Sequence, residues 1–206
     1  MHGRIRIAMP KGNRQVTERF REAGYPLPDD FDESRQYIVP IPETNVEFIV
    51  AKPADIPTYV AYGVADLGVV GKEVLLEEMK EVYELLDLEI SKSKLSVIGQ
   101  ADKKMTNPRV ATAYPNIAAA YFREKGEQVD VVKLNGGLEL SLVTGLADCI
   151  VDVVENDPSC YFEQYGFVEW AVIRQVSSRF IANRASCNLK NEDIERIYSK
   201  LRAQIS

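Results

Sequence analysis

Residues 4–13, Arg-Ile-Arg-Ile-Ala-Met-Pro-Lys-Gly-Asn, decide how the chain is to be read. Arg4–Met9 has the apolar content of a strand, Lys11 and Gly12 form a turn, and Arg14–Ala23 follows with Val16, Phe20 and Ala23 on one helical face. Val46–Ala51 is a second buried strand, so the opening is a βαβ unit. Outward from it the alternation continues. Ile56–Tyr62 reads as a helix, Ala65–Val70 as a strand, and Tyr83–Ile90 as a longer strand running into the polar joint Ser91-Lys92-Ser93-Lys94, a hinge candidate.

A second set follows the joint. Strands are expected at Leu95–Gly99, Arg109–Thr112, Val129–Leu134, Cys149–Val154 and Val168–Val176, with helices over Pro115–Lys125 and Leu138–Thr144. Pro115 suits a first helical turn, where its missing N–H costs nothing. Asn191-Glu192-Asp193 starts a closing helix that lines up Ile194, Ile197, Tyr198, Leu201 and Ile205. Two successive α/β sets predict two lobes with a small-ligand cleft between them.

A net charge of −6 and a pI near 5.0 argue against a nucleic-acid partner, which needs a basic face. Cys149, Cys160 and Cys187 are widely spaced, fit no disulfide or zinc framework, and point to a reducing cytoplasm. Arg4 and Arg6 break the first apolar run, so neither export nor membrane insertion is expected. His2 is the only histidine, which excludes Ser-His-Asp and Cys-His chemistry and multi-histidine metal sites.

Glycines recur where strands give way to helices. Lys11 and Gly12 lie where open α/β sheets bind ligands, and Lys11 is either a phosphate contact or a solvent-exposed lysine in a common type of turn. Asp66-Leu67-Gly68-Val69-Val70-Gly71-Lys72 is a structural turn or an anion-facing loop, without Walker A spacing. Asn135-Gly136-Gly137 before Glu139 is a turn or a close backbone approach to a ligand. Asp152 stands inside the apolar run Cys149–Val154, where a carboxylate is costly unless used or paired; ribose hydroxyls or a hydrated magnesium ion would use it. Asn156-Asp157-Pro158-Ser159 leads toward a short helix near Tyr161–Tyr165 and reads as a capping turn, or as a phosphate loop that Asp157 opposes.

Taken together, these segments resemble the short-form ATP phosphoribosyltransferase family, the first enzyme of histidine biosynthesis, over nearly the whole chain. The likeness rests on Ala8-Met9-Pro10-Lys11-Gly12, the run Ala51–Val60, Gly63 to Gly68 with Gly71-Lys72, Arg109–Thr112 with Tyr114-Pro115-Asn116, Lys133–Gly136, and Gly145–Asp148 with Ile150–Asp152. It implies a two-lobed α/β fold like that of periplasmic binding proteins, with residues 1–92 and 178–206 in one lobe and 93–177 in the other. The implied reaction joins N1 of ATP to C1 of phosphoribosyl pyrophosphate, with Mg2+.

The resemblance makes Lys11 and Asp152 catalytic, Asp152 on the ribose hydroxyls and Lys11 with Asp66 on the nucleotide and pyrophosphate side. It makes substrate contacts of Gly12, Lys52, Asp66, Gly68, Gly137 and Glu139, and of the 5-phosphate loop from Glu155 through Asn156, Asp157 and Ser159. A homo-oligomer and a histidyl-tRNA-synthetase-like regulatory subunit are implied partners.

The chain departs from the family pattern where anions are handled. Asn13 stands for an arginine, Ala113 for a lysine, Gly137 for a serine, and Asn156-Asp157-Pro158-Ser159-Cys160 for Thr-Gly-x-Thr-Leu. A phosphate loop uses a glycine N–H and no negative charge, and Asp157 and Pro158 supply neither. A relative that takes a less phosphorylated ligand, or a non-catalytic small-molecule-binding subunit, is therefore an alternative.

Overall fold

The computed structural model describes residues 3–33, 35–101, 106–155 and 165–205. Met1–Ser91 with Ser177–Ser206 forms one compact unit and Lys92–Val176 a second, so the chain crosses between them twice. Before the first crossing come β1 (Ile5–Pro10), α1 (Arg14–Glu22), β2 (Ile38–Pro40), β3 (Val46–Ala51), α2 (Ile56–Ala61), β4 (Leu67–Gly71), α3 (Lys72–Glu78) and β5 (Tyr83–Asp87). The second unit holds β6 (Ser93–Gln100), β7 (Arg109–Thr112), α4 (Pro115–Glu124), β8 (Asp130–Lys133), α5 (Leu138–Val143), β9 (Cys149–Glu155) and β10 (Phe167–Val176). After the return come β11 (Ser178–Ala182), α6 (Arg184–Leu189) and α7 (Asn191–Arg202).

The first unit's sheet runs β2-β3-β1-β4-β11-β5. β1 is parallel to both β3 and β4, which buries it on both faces and accounts for its near-continuous apolar content. Asn13 caps α1, and Val16 and Phe20 turn inward; Phe20 meets Phe48 edge to face at 5.2 Å. The closing helix α7 buries Ile194, Ile197 and Leu201 in this same core.

The second sheet runs β10-β6-β9-β7-β8, with β7 parallel to β8 and β9. Strand alternation sends Val97, Val110 and Val151 to one face, under Ala118 and Phe122 of α4. Ile98, Ala111 and Ile150 go to the other, under Leu138 and Leu142 of α5.

Apart from the joint expected at Ser91–Lys94, whose Ser93 and Lys94 already belong to β6, the sequence reading differs from the structure in three places. β2 is three residues long and ends on Pro40, too short for a periodicity signal. The expected strand Val168–Val176 is followed, after Ser177, by a further strand, β11, which belongs to the other sheet. β11 opens on the polar Ser178 and Arg179, and Arg179 is compensated by Asp87 at 2.8 Å and Glu84 at 3.4 Å. The third is α6, which sequence periodicity did not bring out. Most of the helix expected near Tyr161–Tyr165 lies outside the described residues. Among those residues no helix is long and apolar enough to cross a membrane.

Candidate active site

In the first unit, two basic side chains leave the carboxyl ends of the parallel strands together. β1 and β3 are paired with Pro10 opposite Ala51, so Lys11 and Lys52 leave neighbouring strands side by side. The Lys11 N–H donates to the Ala51 carbonyl at 3.1 Å, and Gly12 turns the chain with φ +75°. Both lysines are exposed, and among the described residues neither has an ion-pair partner. Lys11 borders a cavity of about 240 Å³ with Arg35, Gln36, Tyr37 and Val50.

Asp66 is not at this edge. β1 and β4 pair with Ala8 opposite Gly68, which puts Asp66 beside Arg6 at the amino ends of the strands, the far side of the sheet from Lys11. There its carboxylate is fully engaged. It accepts the Arg6 N–H at 3.0 Å, the Ser186 hydroxyl at 2.7 Å and the Lys190 ammonium at 2.8 Å, with 7% of the side chain exposed. Lys11 and Asp66, expected on the same side, thus lie at opposite ends of the sheet, and Asp66 is held in an ion pair with Lys190. Gly68 likewise serves packing, since a Cβ there would lie 2.8 Å from Val60 and 3.0 Å from Ile56 of α2.

One group at the carboxyl edge escaped the sequence reading. The Glu73 carboxylate folds back over Gly71, where a Cβ would collide with it, and burial raises its pKa. A glutamate two residues past a strand-ending glycine was the only available signal.

In the second unit, β7, β8 and β9 are parallel and end on one edge. Thr112 is buried at the end of β7, donating to the Val151 carbonyl at 2.7 Å and accepting the Tyr114 N–H at 2.9 Å, which shapes the turn into α4. Gly137, with φ +61°, opens α5 in a left-handed conformation, and Glu139 lies in the first helical turn. Asp152, one residue past the β7 register, accepts the Val153 N–H at 2.8 Å.

Among the described residues Asp152 has no ion-pair partner, and the charge it feels is another carboxylate. Burial first, and Glu139 after it, push its pKa up to about 6, against the single backbone donor that lowers it. The structure therefore brings Asp152, Glu139 and Gly137 to one edge, and among the described residues Asp152 has no donors like those that satisfy Asp66. Glu155 ends β9 opposite Ser93. Asn156, Asp157 and Ser159 lie outside the described residues.

Magnesium uses one or two carboxylates together with substrate phosphates, and the uncompensated Asp152 with Glu139 matches such a donor set. Among the described residues no group of three or more candidate ligands could hold a metal unaided.

Comparison with known proteins places these two edges in context. The family model for ATP phosphoribosyltransferase matches residues 52–203. An ATP phosphoribosyltransferase of Geobacillus kaustophilus (strain HTA426) is 51% identical over 205 residues, covering 98% of both chains. One of Bacillus subtilis (strain 168) is 47% identical over 201 residues, covering 96% of this chain and 93% of the other. The ATP phosphoribosyl transferase (HisG:HisZ) complex from Thermotoga maritima superposes with a TM-score of 0.82 at 25% identity, over 97% of both chains. The periplasmic VFT2 domain of BvgS from Bordetella pertussis has a TM-score of 0.61 at 12% identity over all of this chain and 89% of that one, and so shares the two-lobed α/β fold. With more than half of its length matched by the family and half of its residues identical to a full-length relative, the chain belongs to the ATP phosphoribosyltransferase family.

Proposed function

We propose that this protein joins ATP to the phosphoribosyl group of phosphoribosyl pyrophosphate. The N1 lone pair of ATP forms the bond to C1, the C1–O bond breaks, and pyrophosphate leaves with that electron pair. The observation that carries this reading is the agreement with ATP phosphoribosyltransferases along nearly the entire chain, 51% over 205 residues.

Each group has a task in this reaction. Asp152, ionised, accepts hydrogen bonds from the ribose hydroxyls and fixes C1 for attack, while Gly137 lets the backbone approach the ligand. Lys11 and Lys52, on adjacent strand ends and without an ion-pair partner among the described residues, meet phosphate charge. Asp152 and Glu139 would hold a magnesium ion, which would neutralise charge building on the departing pyrophosphate.

The relative from Thermotoga maritima was solved as a HisG:HisZ complex, which supports a second subunit for this chain as well; the family resemblance implies one of the histidyl-tRNA-synthetase-like regulatory kind. A homo-oligomer working in the cytoplasm completes the proposal. Purified chain with that subunit, ATP, the donor and Mg2+ should form phosphoribosyl-ATP and rescue a histidine auxotroph. No product, with no donor binding by calorimetry, would reject the reading. Ala113→Lys with Asp157→Gly should tighten donor binding by roughly tenfold, since a charged hydrogen bond contributes about 1.5–3 kcal/mol. Unchanged affinity would mean that these positions do not meet the donor.

A further inference from the structure

Asn13 makes two kinds of contact with one side chain. Its Oδ1 accepts the Val16 N–H at 3.2 Å and closes the first turn of α1, directly after the Lys11–Gly12 turn. Its Nδ2 donates to the Ser91 hydroxyl at 3.2 Å, 78 positions along the chain. Ser91 is the last residue before the chain first leaves its unit. Its φ is +50° and that of Glu89 is +55°, left-handed values that non-glycine residues hold only when their surroundings enforce them.

The enforcement is visible. The Ser91 N–H donates to Gln15 Oε1 at 2.7 Å, so the start of α1 grips Ser91 through both Asn13 and Gln15. An arginine at this position would have no acceptor and could not cap α1. An amide supplies the acceptor for the cap and the donor for the link together.

We propose that Asn13 is a positioning residue that couples the Lys11–Gly12 turn to the first connection between the units. Occupation of the turn by substrate then changes the freedom of Ser91. The inference rests on the reading above, in which Lys11 meets substrate.

Two variants separate the link from the cap. Asn13→Ser keeps a capping oxygen but is too short to reach Ser91, and Ser91→Ala removes the acceptor while leaving the cap intact. Hydrogen exchange over residues 88–92 is followed with and without ATP, and separately with and without phosphoribosyl pyrophosphate. In the wild-type protein at least one substrate should slow exchange there, and in either variant the slowing should vanish. In the complex with the partner subunit, each variant should lower kcat by about tenfold with little change in KM, and the double variant should do no worse than either single one.

Slowing that persists in the variants, or single-variant losses that multiply in the double, would overturn the coupling. So would substrate that binds by calorimetry without slowing exchange in the wild type. If neither substrate binds the wild type, the functional reading itself fails, and the inference with it.

Discussion

Asp152 and Asp66 are both carboxylates embedded in apolar sequence, and their surroundings are opposite. Asp66 has three donors from distant parts of the chain, whereas Asp152 has burial, one adjacent N–H and a neighbouring carboxylate. The Asp152 carboxyl is raised from 3.8 to about 6, so between those values the folded chain binds more protons than the unfolded one. Stability therefore falls as pH rises from about 4 to about 6, and the loss persists at neutral pH. Asp152→Asn should be more stable than wild type at pH 7 by on the order of 2 kcal/mol while losing activity, a pair of results that denaturant titration and assay would check. Activity of the wild type should rise through about pH 6 as the carboxylate forms. Asp66→Ala should do the reverse, costing about 3 kcal/mol of stability with KM for ATP unchanged. A raised KM in a fully stable Asp66→Ala protein would return Asp66 to the active site.

At the level of elements, two glycines set how closely layers approach. Gly68 lets α2 lie on β4, and Gly68→Ala should push Val60 and Ile56 outward, at a cost of about 1–3 kcal/mol read from the denaturation midpoint. Gly99 on β6 lies under the indole of Trp170 on the paired strand β10, where an added methyl would overlap the ring. Trp170 is the only tryptophan, so Gly99→Ala should shift the fluorescence of the native protein by exposing it. An unaltered spectrum would mean that the pairing tolerates the methyl. Much of this architecture is legible in sequence, because apolar alternation and strand-ending glycines are local signals, and Asp152 stands out as a charge in a buried strand. Asp66 could not be judged that way. Its partners Ser186 and Lys190 lie 120 and 124 positions away, and no local pattern announces them. β11 is hidden for the same reason, since the carboxylates that make Arg179 tolerable belong to β5.

For the whole molecule, the decisive fact is that the first unit is discontinuous and the second is not. Lys92–Val176 carries its own sheet and its own two-faced core, so this fragment alone should unfold cooperatively and keep the Trp170 emission of the full chain. A chain ending at Val176 lacks β11, which separates β4 from β5, and lacks the core side chains of α7. It should lose protease resistance across residues 3–91 while the second unit stays protected; equal protection of both would refute the dependence. The position of β11 also has a consequence for biogenesis. On the ribosome, β4 and β5 emerge early and must wait for all of Lys92–Val176 to be translated, roughly ten seconds at ordinary elongation rates, before their partner strand exists. During that interval the nascent protein carries one sheet with an open seam beside a neighbour that can already be finished, which makes the first unit the natural client of chaperones and the first place where synthesis errors become aggregates.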